Sequence, residues 1–267
     1  MVPFLTSLKS RAKSVIKRRL VAGRFRFRTW SWAPEKEGDV AVLMCLWNRP
    51  DRLADVLRML DRQTGVPGVR LYLWNNARRD HDRYVAALEE ATPRGALHSA
   101  RLVRSPFNLG SIARFYWARK LVLASGPQPI VVIDDDQDIR DDFLASALSQ
   151  FDPRAVTAWW AWTLGPGGYW DRTPAGPGDR VDHVGPGGSI LSSELLADER
   201  FFTRMPAEFW LLDDVWLSYY AQARGYRLAK LDVPIEFVMD ETNQHHGQAD
   251  MKRAFFDRLA AGAFPIA

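Results

Sequence analysis

Residues 130–143 read IVVIDDDQDIRDDF, an apolar run that ends in three consecutive aspartates. Adjacent like charges repel, so chain stability alone gives no reason to stack carboxylates there. Carboxylate oxygens are the natural ligands of hard divalent cations such as Mg²⁺ and Mn²⁺, and a cation held that way also takes phosphate oxygens. Asp134 and Asp136, two apart at the end of a strand, therefore predict a metal and phosphate site. The competing reading is a solvated acidic loop or a helix start. Asp138, Asp141 and Asp142 suit that reading, because DDFLASALSQF predicts a helix whose first turn favours acids.

The elements that must position these aspartates follow from the hydrophobic pattern. DVAVLMCLW, from residue 39, is a continuous apolar run, as in a strand buried on both faces. DRLADVLRMLDRQ predicts a helix with Leu53, Val56, Leu57 and Leu60 inward. VRLYLWNNA is a second strand, DRYVAALEEA a second helix and ARLVRSP a third strand. SIARFYWARKLVLAS is a third helix, and PIVVIDDDQ a fourth strand. Strands alternating with helices of this length predict a parallel sheet, with any ligand beyond the carboxyl ends of its strands. Three strand ends carry polar clusters: Asn48-Arg49, Asn75-Asn76 and Asp134-Asp135-Asp136. They should converge on one crevice.

After residue 150 the style changes. AVTAWWAWTL is strand-like and rich in tryptophan. Residues 165–188 contain eight Gly and four Pro, half of the segment, and read as a long loop. SILSSELLA predicts a helix. Another begins near Asp213, with Val215, Trp216, Tyr219 and Ala223 inward and Gly225 at its end. RLAKLDVPIEFV resumes strand character, and NQHHGQADMKRAFFDRLAAG is a polar loop followed by a helix.

The net charge of +4 over 267 residues is uneven. Residues 1–38 hold ten Lys/Arg against two acids, a balance of +8, which leaves −4 for the remainder. A mildly acidic body argues against nucleic acid as a partner. FLTSLKSRAKSVIKRRLV patterns as a basic amphipathic helix. Residues 1–28 could thus meet an anionic membrane surface, or equally form a solvated or packed extension. No apolar stretch reaches the roughly 20 residues that span a bilayer. The single cysteine, Cys45, lies in an apolar run and reads as a buried, inert thiol.

The ordered set CLWNRPDRL, LYLWNNA, NLGSIARFYWARKLV, VVIDDDQ, GPGGSIL and WLLDDVWLSYYAQARGYRL resembles the family-2-type glycosyltransferases over roughly residues 39–246. The resemblance implies the GT-A fold, that of the nucleotide-diphospho-sugar transferases. This is an α/β class, a Rossmann-like three-layer α/β/α sandwich with a mostly parallel central sheet. It implies a domain at residues 39–267 behind a basic extension at 1–38. The implied activity is metal-dependent, inverting transfer of a single sugar from a nucleotide-diphospho-sugar donor to a carbohydrate or lipid-linked acceptor. The expected location is cytoplasmic, and at the inner face of the membrane if residues 1–28 meet that surface. By position, Asn48, Arg49, Asn76, Asn108, Gly110 and Arg114 would contact the donor, and Asp135 its ribose or sugar. A salt bridge is the equal alternative for Arg114. Asp134 and Asp136 would hold Mn²⁺ or Mg²⁺, with His245 or His246 as a further ligand. Asp214 matches the general base. Asp213 stands where a glutamate is usual, which leaves open which of the two aspartates is the base. Rival readings are a sugar-phosphate nucleotidyltransferase, disfavoured because NRPDRL lacks that class's glycines, and a non-catalytic sugar- or lipid-binding module. Trp47 and Trp74 could stack on a base or simply pack. Trp159, Trp160, Trp162, Tyr169 and Trp170 could face sugar rings or form core.

Overall fold

The computed structural model describes residues 15–25, 29–238 and 248–264, and of residues 29–32 the backbone alone. Residues 1–14 and the segment carrying His245 and His246 lie outside the described residues.

The central sheet has eight strands in the order β1-β4-β3-β2-β5-β11-β7-β12. Its heart is β2 (Val40–Leu46), flanked by β3 (Val69–Asn75) and β5 (Pro129–Val132), both parallel to it. β4 (Leu97–Arg104) pairs parallel with β3, and β12 (Arg227–Lys230) parallel with β7 (Ala155–Ala158). Only β1 (Thr29–Trp32) and β11 (Ser189–Ser192) run against the others. Alternation along β2 feeds two cores. Val42 and Met44 pack with the helices α2 (Leu53–Asp61), α3 (His81–Glu90) and α5 (Phe143–Ser149). Ala41 and Leu43 face the opposite layer, which contains α4 (Phe115–Ser125), α7 (Asp213–Ala223) and α8 (Gln248–Ala260). Apolar side chains on both faces are what a sheet covered on both sides requires. The result is the three-layer sandwich expected from the sequence.

The packed body also includes part of the basic N-terminal stretch. Residues 15–21 are helical (α1). Leu20 and Phe25 are buried, and the Phe25 ring meets Trp74 at 5.3 Å and Trp117 at 5.0 Å. Trp74 is therefore core, not a stacking platform.

Several local expectations give way. SILS is not helical: it is β11, inserted between β5 and β7 with all four residues buried. A short apolar run bears no period that separates strand from helix. Asp138 is not a first-turn acid. It lies in β6 (Gln137–Ile139), pairs with Arg52 at 2.5 Å, and its strand joins β13 (Ile235–Phe237). Segment 165–188 is not a bare loop, since β9 (Arg172–Pro174) and β10 (His183–Val184) flank β8 (Ala161–Leu164) in a three-stranded sheet. On α7, Tyr220 and Ala221 are buried where Ala223 was expected.

Candidate active site

The carboxyl ends of β2, β3 and β5 open into one cavity of about 480 Å³. Two turns shape its first wall. Asn48 takes a left-handed conformation (φ 58°), which asparagine tolerates better than most residues, and Pro50 begins a short 3-10 helix. This turn aims Arg49 at the aspartates: its Nη1 lies 2.8 Å from Asp135 Oδ1 and 3.0 Å from Asp136 Oδ2. Asn48 itself does not line the cavity. It accepts a hydrogen bond from Arg79 at 3.0 Å.

The second turn is Asn108-Leu109-Gly110. The Asn76 side chain accepts from the Leu109 N–H at 3.1 Å and donates to the Gly110 carbonyl at 2.9 Å. Asn108 Oδ1 accepts from the Gly110 N–H at 2.8 Å. Asn76, expected to contact the donor, uses its amide to fix this loop at the cavity wall. Gly110 has φ 77°, and a Cβ there would lie 2.2 Å from the Trp210 carbonyl oxygen. A Gly110→Ala variant should lose at least about 2 kcal/mol, combining left-handed strain with a clash against backbone. Urea unfolding measures this, and a loss under about 0.5 kcal/mol contradicts the account.

The aspartates sit where predicted, and they diverge. Asp134 pairs with Arg114 Nη1, while Asp135 and Asp136 share Arg49. Burial pushes the Asp135 carboxyl up to about 7, against the pull of Arg49. Burial and the Asp134 charge also raise Asp136. Asp135 Oδ2 is buried without a hydrogen-bond partner. Gly187 makes room for Asp134, since a Cβ there would fall 2.0 Å from Asp134 Oδ2. Among the described residues, no group of three or more His, Cys, Asp or Glu is placed to hold a metal ion.

Arg114 is 4% exposed and forms the salt bridge weighed above. Besides Asp134, its Nε lies 3.4 Å from Asp213 Oδ2 and donates to the Ser111 carbonyl at 3.1 Å. Ser111 Oγ donates to Asp213 Oδ1 at 2.5 Å. Burial raises Asp213 to about 6 despite Arg114. Cys45 borders the same cavity, and burial pushes its thiol up to about 12, as suits an inert group.

A second wall of the same cavity carries Asp214, His183 and Lys252. Asp214 Oδ2 accepts from Lys252 Nζ at 2.5 Å and Tyr169 OH at 3.4 Å, and lies 3.7 Å from His183 Nε2. Tyr169 OH and His183 Nε2 are 3.2 Å apart. Burial works against the Asp214 charge, but Lys252 and His183 outweigh it and hold the carboxyl below the usual range. Lys252 on α8 and His183 on β10 were not anticipated. Each is a lone residue in a segment without a motif, and only the fold brings them to Asp214. Trp47, Trp160, Trp162 and Arg172 also line the cavity. Trp159 packs against the core, and Trp170 is exposed.

No family model matches the chain, and no curated protein matches it. Among solved structures it is similar to the mannosyltransferase PcManGT from Pyrobaculum calidifontis in complex with GDP-Man and Mn²⁺. The identity is 16% and the TM-score 0.58, over 97% of this chain and 74% of that one. A second likeness is to the WbbM bifunctional glycosyltransferase apo structure, at 13% identity and TM-score 0.45, over 75% of this chain and 40% of that one. The first of these is a likeness of fold, and the fold is the GT-A-type, Rossmann-like sandwich. No helix among the described residues is long and apolar enough to cross a membrane.

Proposed function

We propose that the chain is a glycosyltransferase that moves one sugar from a nucleotide-diphospho-sugar donor to an acceptor hydroxyl, with inversion and with a divalent cation. The observation that carries this reading is one cavity at the strand ends with two unlike walls. On one wall stand three adjacent aspartates, one of them with a buried, unpartnered oxygen; on the other stands Asp214. The mannosyltransferase of like fold is described with GDP-Man and Mn²⁺, which supports the same class of donor and cation.

The aspartates fit a hard cation, because their donors are all oxygen, and the unpartnered Asp135 Oδ2 beside them is left for the donor's ribose or sugar. Asp134 and Asp136 would hold the cation, with His245 or His246 as a further ligand. When bound, it supplies positive charge to the departing diphosphate. Arg49 and Arg114 hold the aspartates in place and offset their repulsion. On the second wall, ionised Asp214 accepts the proton of the acceptor hydroxyl as that oxygen attacks the anomeric carbon and the nucleoside diphosphate leaves. Asp213, held by Ser111 and Arg114, supports that wall rather than the reaction.

The test is a thermal-unfolding screen of nucleotide sugars with and without Mn²⁺. One donor with Mn²⁺ should stabilise the chain, by about 2.7 kcal/mol at a hundredfold excess over its Kd. Asp136→Ala should remove the Mn²⁺-dependent part. Turnover unchanged in EDTA would sink the metal assignment, and no shift with any nucleotide sugar would sink the donor. Product NMR showing a retained anomeric configuration would exclude Asp214 as the base.

Lys252 supplies a pH prediction. It holds the Asp214 carboxyl low, so Lys252→Gln should let that pKa rise. The reaction needs the ionised form, so the acid limb of the kcat/KM profile should move to higher pH. An acid limb unmoved by the substitution would show that Asp214 is not the group that titrates there.

A further inference from the structure

Arg172 sits on the Asp214 wall in an unusual setting. Its guanidinium lies over three aromatic rings: Trp162 at 4.5 Å, Trp170 at 4.7 Å and Tyr169 at 5.1 Å. Among the described residues no carboxylate pairs with it, in contrast to Arg49, Arg114 and Lys252. The three rings hold the cation in place, and it borders the cavity. Beside it Trp160 and Trp162 stack on each other at 5.7 Å and 12°, both half-buried and both lining the cavity. Phe237 meets Trp160 edge-on at 6.3 Å and lies on the same cavity.

Which substrate meets this wall follows from the connections of Asp214. The base must touch the acceptor. Tyr169 joins the two groups, hydrogen-bonding Asp214 at 3.4 Å while its ring carries Arg172. The cations of the first wall, Arg49 and Arg114, are already committed to the aspartates. An arginine without a carboxylate next to the base, flanked by half-buried indoles, suits a ligand with both an apolar ring face and an anionic group. Arg is the side chain best shaped to bind carboxylate or phosphate oxygens.

The geometry points to an anionic saccharide as the acceptor: its ring packs against Trp160, and its phosphate or carboxylate is held by Arg172. This assignment rests on the transfer reading above and adds the acceptor's chemical class.

The experiment titrates the full chain by intrinsic tryptophan fluorescence. The anionic probes are glucose 6-phosphate and methyl β-glucuronide; the controls are glucose, methyl β-glucoside and inorganic phosphate. The anionic sugars should bind about tenfold or more tightly than their neutral counterparts, the scale of one charge-assisted hydrogen bond. Their relative strength separates phosphate from carboxylate as the anionic group. Arg172→Gln should reduce the preference to under about twofold, and Arg172→Lys should keep part of it, because the charge remains. Trp160→Ala, which leaves the three rings beneath Arg172 in place, should weaken neutral and anionic sugars alike. Thermal unfolding of each variant checks that it is folded. The assignment is overturned by equal binding of neutral and anionic sugars, by no binding of either anionic sugar, or by a preference that survives Arg172→Gln. Inorganic phosphate binding as tightly as glucose 6-phosphate also overturns it, as does a loss confined to nucleoside diphosphates in Arg172→Gln. If nucleotide sugars are neither bound nor turned over while the Arg172-dependent preference persists, the transfer reading fails and the anionic site stands. If donors are turned over but neutral sugars bind equally well, the reverse holds.

Discussion

An Asp214→Asn variant should lose about 10²- to 10⁴-fold in turnover, the range for removing a positioned general base. The substitution keeps the shape of the side chain and an oxygen that can accept from Tyr169 and Lys252, so the wall itself should survive. What it removes is the ability to take a proton. The Asp214 environment explains why this group suits the task. Burial alone would push its carboxyl toward the neutral form, and Lys252 and His183 reverse that. The group is thereby ionised at any physiological pH, at the cost of some proton affinity. The loss should appear in kcat and kcat/KM together, because the interaction is realised as the acceptor oxygen attacks and not when substrate binds. A rise in KM with kcat unchanged would make Asp214 a binding residue. Turnover within about twofold of wild type would remove it from the reaction altogether. Asp213→Asn provides the contrast. That carboxylate is engaged by Ser111 and Arg114, so its loss should register in unfolding before it registers in turnover.

The parts of this site that sequence could show are those written into local pattern. The run VAVLMCL is buried along almost its whole length because both of its faces meet helices. Its polar continuation Asn48-Arg49 marks a strand end as clearly as Asp134–Asp136 marks that of β5. Three such ends do line one cavity, apart from Asn48, which turns away from it, and Asn75, which is fully buried and bonds to His81 and the Ala77 N–H. The parts that stayed hidden depend on distance along the chain. Lys252 meets Asp214 across 38 residues, and His183 reaches it from a Gly/Pro-rich segment that reads as loop. No periodicity encodes such pairs. β11 was missed for a different reason: four buried residues in mid-sheet look like any short apolar run. Asn76 shows a limit of reasoning by residue type, since an amide at a strand end can read a ligand or tie down a loop, and only geometry separates the two.

Arg114→Met should be the most destabilising single change in the site, at about 3–5 kcal/mol, the cost of leaving a buried charge uncompensated. Against a total of about 5–15 kcal/mol for a domain, that approaches unfolding. The methionine fills similar space, so the loss is electrostatic. Burial already raises Asp213 to about 6 with Arg114 alongside it, and without the cation it must rise further. A carboxyl whose folded-state pKa exceeds its unfolded value binds protons more tightly when folded. Its penalty is therefore absent below the unfolded pKa and grows as pH rises through the window up to the folded pKa. The gap in unfolding midpoint between wild type and variant should accordingly be smaller at pH 5 than at pH 8. Asp134 is one-third exposed and contributes less, because solvent screens it. Adding Asp213→Asn to Arg114→Met should restore part of the lost stability and flatten the pH dependence, since the stranded charge is then gone. The same measurements separate the two roles that the sequence left open for Arg114. A variant that keeps its stability but no longer binds nucleotide sugars would make Arg114 a donor contact. A variant that unfolds early, is relieved at low pH and is rescued by Asp213→Asn makes it the counter-ion that joins the two walls of the cavity.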